Sequence, residues 1–148
     1  MKLSIITAVL NNVQTIDDCI RSVLDQTHPD IEYIVIDGES QDGTVDVIKK
    51  HKGHIAKFIS EPDKGMYDAL NKGIKWASGE VIGFLHADDV YANHKVLETV
   101  ARGMGSNSVD SCYGDLVYVR RADTEKIVRY WKSCPYQNGL FQKGWMPP

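Results

Sequence analysis

The chain has 148 residues, and its 17 basic and 20 acidic side chains leave a formal charge of −3, a length and balance that predict one domain. With 43% hydrophobic and 25% charged residues it falls outside the disordered, collagenous and long coiled-coil classes. Lysines scattered among acids give no one-signed basic footprint of the kind that neutralises phosphates, so no nucleic-acid partner is expected.

Residues 3–10, LSIITAVL, form a continuous apolar run rich in branched side chains, which predicts a strand covered on both faces. Thr15 stands three residues before Asp18, a capping-box spacing. Ile16, Cys19, Ile20, Val23 and Leu24 then recur at helical intervals until Pro29 forbids continuation. A second strand is predicted over 31–36 (IEYIVI), followed by the loop DGESQDG and a helix over 44–52 with Val45 and Ile48 facing inward. A third strand over 55–60 leads into the loop EPDKG. In the helix after it, Met66, Ala69, Leu70, Gly73, Ile74 and Ala77 mark one face, with Gly79 at the place of a left-handed C-cap. The run EVIGFLHA reads as a fourth buried strand ending at Asp88 and Asp89. Strands alternating with helices predict an α/β fold, a mostly parallel sheet with right-handed crossovers and helices on both faces. A helix over 95–104 follows, and SCYGDLVYVRR and EKIVRYWK, joined by a turn at ADT, read as a C-terminal antiparallel hairpin.

Cys19, Cys112 and Cys134 are odd in number and widely spaced, which argues against a disulfide framework or a zinc site and for a reducing compartment. The opening MKLSIITAVLNN runs into two asparagines rather than a small-residue cleavage site and is too short to span a bilayer. A cytoplasmic location is expected, which leaves room for peripheral association at the inner face of the membrane.

In open α/β sheets, ligands bind beyond the carboxyl ends of the strands, where strand order reverses. Thr7, Asn11 and Asn12 end the first strand, Asp37 the second, Asp63 and Lys64 follow the third, and Asp88 and Asp89 end the fourth, so all are expected on one rim. Each aspartate alone is an ordinary turn residue; together they suggest a site. Two adjacent carboxylates leaving an apolar strand repel and lose hydration, so Asp88 and Asp89 are expected to share a hard cation or face a polar ligand. Magnesium or manganese takes one or two such carboxylates and bridges to substrate phosphates. No GxGxxG or GxxxxGK[ST] follows the first strand, which disfavours dinucleotide binding and P-loop chemistry.

SIITAVLNN, VIDGESQDGT, EPDKGMYDALNKGIKWASGE and IGFLHADD, in that order, resemble the signature blocks of the family 2 glycosyltransferases, inverting enzymes of the GT-A fold. CYGD at 112–115 extends the likeness. The resemblance implies a metal-dependent transfer of sugar from a nucleotide-diphosphate donor to an acceptor hydroxyl on a glycan or lipid-linked molecule. It places Asp37 on the donor base with Thr7 and Ala8 lining the same pocket and Lys64 near the nucleotide. HADD would be the DXD-type motif, with Asp88 near the ribose and Asp89 on the metal. Leu10 stands where many relatives carry an aromatic residue, and His86 where asparagine is frequent. The family's catalytic base is expected beyond Pro148, so that residues 1–148 form one donor-binding domain lacking its acceptor segment and inefficient in transfer. Asp115 is the candidate base within the chain.

Trp76 reads as helix packing, Trp131 as evenly balanced between packing and sugar contact, and Trp145 as part of a fraying tail. His51 and His54 read as solvated. Competing readings are a donor-binding fragment without turnover and a sugar-nucleotide nucleotidyltransferase, though the latter should show a glycine-rich basic loop after the first strand. A receiver-like signalling module would carry its acidic pair on strand one instead of strand four. Exposed apolar surface near the C-terminus makes self-association or a homo-oligomer an expectation.

Overall fold

The computed structural model describes residues 1–106 and 109–144. The chain forms two compact units, Met1–Ser106 and Asn107–Pro148.

In the first unit, strands β1 (Leu3–Val9), β2 (Ile31–Asp37), β3 (Lys57–Ser60) and β4 (Val81–Phe84) alternate with helices α1 (Ile16–Leu24), α2 (Thr44–Lys50), α3 (Met66–Trp76) and α4 (Val96–Ser106). All four strands are parallel, in the order β3-β2-β1-β4, so the chain winds outward from β1 and then returns to its other side. Strand order therefore reverses between β1 and β4.

Alternation along β1 divides the core. Leu3, Ile5 and Val9 pack with Ile16, Cys19, Ile20 and Val23 of α1, Ile48 of α2 and Leu97 of α4. Ile6, with Ile34 and Ile36 of β2, packs against Ala69 of α3, with Trp76 partly buried beside them. Helices thus cover both faces, and Trp76 is a packing residue as expected.

Four local expectations fail for identifiable reasons. Thr15 occupies the N-cap of α1 without a side-chain cap, because its hydroxyl donates instead to Asn12 Oδ1 at 2.6 Å and to the Ala87 carbonyl at 2.9 Å. Helix α3 ends at Ala77 in extended backbone, so Gly79 is no left-handed cap. Gly79 is required by close approach, since a Cβ there would sit 2.7 Å from the Ser4 amide nitrogen and 2.8 Å from the Lys2 carbonyl. Gly79→Ala is accordingly expected to cost about 2 kcal/mol in denaturant unfolding, since backbone, unlike a side chain, cannot rotate away. Strand β4 is a short edge strand whose Ile82 and Phe84 are exposed, because they share the face of Ser4 and Ile6, which α3 covers over β1 and β2 and not over β4. His51 is mostly buried and binds Asp17 Oδ1 at 2.7 Å, while Arg21 holds the other Asp17 oxygen at 2.6 Å; these bonds lower the Asp17 pKa. His54 is exposed, as expected.

At the amino-terminal edge of the sheet, opposite the acidic rim, Glu32 is buried. Its carboxylate accepts the Ser4 hydroxyl at 2.6 Å, the Ser78 amide at 2.7 Å and the Ser78 hydroxyl at 2.8 Å, with Lys2 Nζ at 3.3 Å. Burial pushes its pKa up, but these donors outweigh burial and hold it down at about 2.

The second unit contains the antiparallel pair β5 (Leu116–Arg120) and β6 (Asp123–Trp131) and a short 3-10 turn at Phe141–Lys143. The hairpin turn falls at Arg121 and Ala122, ahead of the predicted ADT, because Asp123 already pairs with Arg120. Arg129 lies over the rings of Tyr118 and Trp131, at 5.4 and 5.7 Å. Trp145 lies outside the described residues.

Candidate functional site

A crevice of about 360 Å³ opens beyond the carboxyl ends of β1 and β4, where the strand order reverses. Ala8, Val9, Leu10 and Asn12 form its β1 side; Asp63, Gly65, Met66 and Ala69 its α3 side; and His86, Ala87 and Asp88 the stretch after β4. The β1 and α3 walls are largely apolar and carboxylates stand at the rim, a combination suited to a polar ligand with an apolar ring.

Of the residues the sequence singles out, Ala8 and Asp88 line this crevice. Thr7 does not. It is fully buried on the α1 side of the sheet, its hydroxyl 3.1 Å from the Tyr33 hydroxyl and 3.9 Å from Cys19 Sγ. Lys64 is exposed between Asp63 and Gly65, and its amide donates to Asp68 Oδ2 at 3.0 Å. Asp37 is fully buried and its carboxylate is already committed. Oδ2 accepts the Ser40 amide at 3.0 Å and the Ser60 hydroxyl at 2.6 Å, and Oδ1 accepts the Ser40 hydroxyl at 2.5 Å. Asp115 belongs to the second unit, where its carboxylate accepts the Tyr130 hydroxyl, the Ser133 amide and the Ser133 hydroxyl. These bonds hold its pKa down at about 2, which leaves it a weak proton acceptor.

Asp89 is exposed as a residue, yet partial loss of hydration raises its carboxyl pKa, and the Asp88 charge adds to the rise against an opposing effect of His86. Relief by a hard cation is the chemistry such a pair favours. Among the described residues no group of three or more His, Cys, Asp or Glu converges on one point.

Sequence reasoning put Asn11, Asn12 and Asp63 on the rim but passed over Ser40, Asp42 and Thr44, which bond to the loop there. Asp63 enters the crevice beside Gly38, where a Cβ would meet the Asp63 carboxylate at 2.7 Å; the glycine leaves room for that oxygen. The loop after β1 is bonded to the loop after β2 by three successive amides. Asn11 N–H donates to Ser40 Oγ at 2.7 Å, Asn12 N–H to Thr44 Oγ1 at 2.8 Å and Val13 N–H to Asp42 Oδ2 at 2.9 Å. In return, Asn11 Oδ1 accepts the Gln41 amide at 2.8 Å. The signal was the polar string SQDGT, legible only as a turn.

Among the described residues, two other than glycine carry positive φ, Asn11 at 48° and Glu39 at 67°. Asparagine tolerates this region, but glutamate is strained there by about 1 kcal/mol. Glu39→Gly is expected to raise unfolding free energy by roughly 0.5 kcal/mol, after the added freedom of the unfolded chain is deducted. Urea unfolding measures it, and a lower midpoint would contradict the strain.

The architecture is that of an open α/β domain with a ligand crevice at its topological switch point. The sequence model of Glycosyl transferase family 2 matches residues 4–146, and the chain belongs to that family. An uncharacterized glycosyltransferase of Nostoc sp. is 39% identical over 103 residues, covering 68% of this chain and 32% of that protein. A PGL/p-HBAD biosynthesis glycosyltransferase of Mycobacterium tuberculosis is 33% identical over 118 residues, covering 77% of this chain and 46% of that protein. The chain thus spans less than half the length of these relatives. Among solved structures, residues 1–349 of S. aureus TarS in complex with UDP-GlcNAc superpose with a TM-score of 0.65 at 25% identity, over 72% of this chain and 32% of that one. The mannosyltransferase PcManGT from Pyrobaculum calidifontis shares the fold, with a TM-score of 0.66 at 22% identity over 84% of this chain and 37% of that one. The fold is accordingly the GT-A type expected from the sequence. No helix among the described residues is long and apolar enough to cross a membrane.

Proposed function

We propose that the crevice between β1, α3 and the segment after β4 binds a nucleotide-diphosphate sugar, and that the chain supplies the donor half of a glycosyl transfer proceeding with inversion. The carrying observation is the crevice itself, at the switch point of a family 2 sheet, with Asp88 at its edge and Asp89 next to it. The complex of TarS with UDP-GlcNAc, at 25% identity, supports a nucleotide sugar as ligand.

In this reading the apolar side chains of Leu10 and Met66 flank the base, Ala8 leaves it room, and Asp88 accepts hydrogen bonds from the ribose, with Lys64 close to the diphosphate. Asp37 serves the donor base through Ser40, because its carboxylate is enclosed and accepts hydrogen bonds from Ser40 and Ser60. Asp89 would hold magnesium or manganese, which when bound neutralises charge on the departing diphosphate. The acceptor hydroxyl oxygen attacks the anomeric carbon, the bond to the diphosphate oxygen breaks, and the hydroxyl proton passes to a carboxylate base. That base is assigned to none of the described residues. Asp115, with its carboxyl held at about 2, is a poor choice. Residues 1–148 are read as one donor-binding domain, and the acceptor as a glycan or a lipid-linked molecule met in the cytoplasm or at the inner membrane face.

Thermal-shift titration with UDP-, GDP- and dTDP-sugars, with and without manganese, tests the reading, because a ligand of the native state raises its melting temperature. One of these donors is expected to raise it in a saturable, manganese-enhanced way. A flat response to all three would reject the assignment.

A further inference from the structure

We infer that Thr44 and Asp42, neither of which lines the crevice, are positioning residues that set its β1 wall by holding the amides of Asn12 and Val13. The inference rests on the proposed nucleotide site.

That wall is an exposed loop, tied also through Asn11 to Ser40 and Gln41 and through Asn12 to Thr15 and Ile16. Leu10 is 58% exposed, Asn11 adopts a left-handed φ of 48°, and the loop reaches the crevice through Leu10 and Asn12. Three consecutive amides here point toward the neighbouring loop and meet side-chain oxygens on it. Thr44 is the hinge of the arrangement. It is fully buried, and its hydroxyl accepts from Asn12 N–H at 2.8 Å while donating to Asp42 Oδ1 at 2.6 Å. A hydroxyl that accepts and donates at once gains from each bond by polarisation. Asp42 completes the lock, its Oδ1 also taking the Thr44 amide at 3.0 Å and its Oδ2 the Val13 amide. The donors lower its pKa, Thr44 first and Val13 next, so it is a charged acceptor.

The geometry also explains the missing glycine-rich cradle. Amides that in other doubly wound folds bind phosphate are consumed here by protein oxygens, so the loop acts as a fixed wall, and the diphosphate must be met elsewhere.

The test compares Thr44→Val, which keeps shape and burial but deletes the hydroxyl, with Thr44→Ser, which keeps it. Affinities for UDP and GDP, each with manganese, are measured by calorimetry at a temperature where every variant is folded, and amide exchange is followed by NMR. Thr44→Val is expected to weaken nucleotide binding by about tenfold and to speed exchange at Asn12 and Val13, as loss of a supporting partner commonly does. Thr44→Ser should restore both. Asp42→Ala, at an exposed side chain, gives the same readouts should the valine variant fail to fold. Wild-type affinity in a folded Thr44→Val or Asp42→Ala protein overturns the inference, whatever happens to stability. Where the wild type binds neither UDP nor GDP, dTDP takes their place in the comparison, and absence of binding to all three overturns the nucleotide site and the inference with it.

Discussion

Asp89→Ala is expected to abolish the manganese-dependent part of nucleotide-sugar binding and leave the metal-independent part. Asp89 carries the carboxyl whose pKa is raised by lost hydration and by Asp88, the pair least comfortable without a cation. Outer contributions to the fold are small, since the residue is exposed and its amide, which donates to the His86 carbonyl at 3.0 Å, survives the substitution. Loss of an outer-shell partner of a metal ligand already costs roughly 10- to 100-fold in metal affinity, so loss of the ligand carboxylate itself is expected to cost at least as much. Asp37→Ala should behave differently, weakening binding with or without metal, because it loosens Ser40 and through it the Asn11 amide. Calorimetry with and without manganese separates the two. Equal metal dependence in Asp89→Ala and wild type would reject the metal assignment.

Glu32→Gln is expected to destabilise the first unit by about 3 kcal/mol at neutral pH, the free energy equivalent of a carboxyl moved from 4.5 to about 2. Its folded pKa is depressed, so its contribution is fully present above the ordinary carboxylate value and is lost as pH falls from about 4.5 to about 2. Wild type should therefore show a steep acid limb over that window, and Glu32→Gln a flatter one. The site lies at the edge of the sheet opposite the crevice, so nucleotide affinity of the folded variant should be unchanged. A variant as stable as wild type at pH 7 would show that burial of the carboxylate cancels its hydrogen bonds.

Much of the fold was legible because continuous apolar runs and helical spacing survive folding unchanged. Residues 3–10 read as a doubly covered strand and 31–36 as a second strand, and β1 and β2 are the central pair. Strand β4 misled because EVIGFLHA is as apolar as they are, while α3 covers its own face of the sheet over β1 and β2 and leaves Ile82 and Phe84 of β4 in solvent. Gly79 and Thr15 misled because local rules assign caps, whereas Ser4, Lys2 and Ala87, distant in sequence, decide what those residues do. Ala8 and Asp88, read from strand ends and the family resemblance, line the crevice. Thr7 lies on the other face of the sheet, because a one-residue step along a strand changes face. Asp42 and Thr44 were missed because their partners lie 29 and 32 positions away, and no periodicity records a side chain bonded to a distant amide.

The measurement that bears most directly on the proposed donor site is a map of amide NMR shifts on titration with the nucleotide sugar that gives the largest thermal shift, in the presence of magnesium. The largest changes are expected at Ala8, Leu10, Asn12, Asp63, Gly65, His86 and Asp88, with Ser4, Glu32 and Ser78 at the opposite edge silent. Saturable binding whose shifts cluster on β5 and β6, or on the Glu32 edge, and leave the crevice amides unmoved would contradict the proposed donor site.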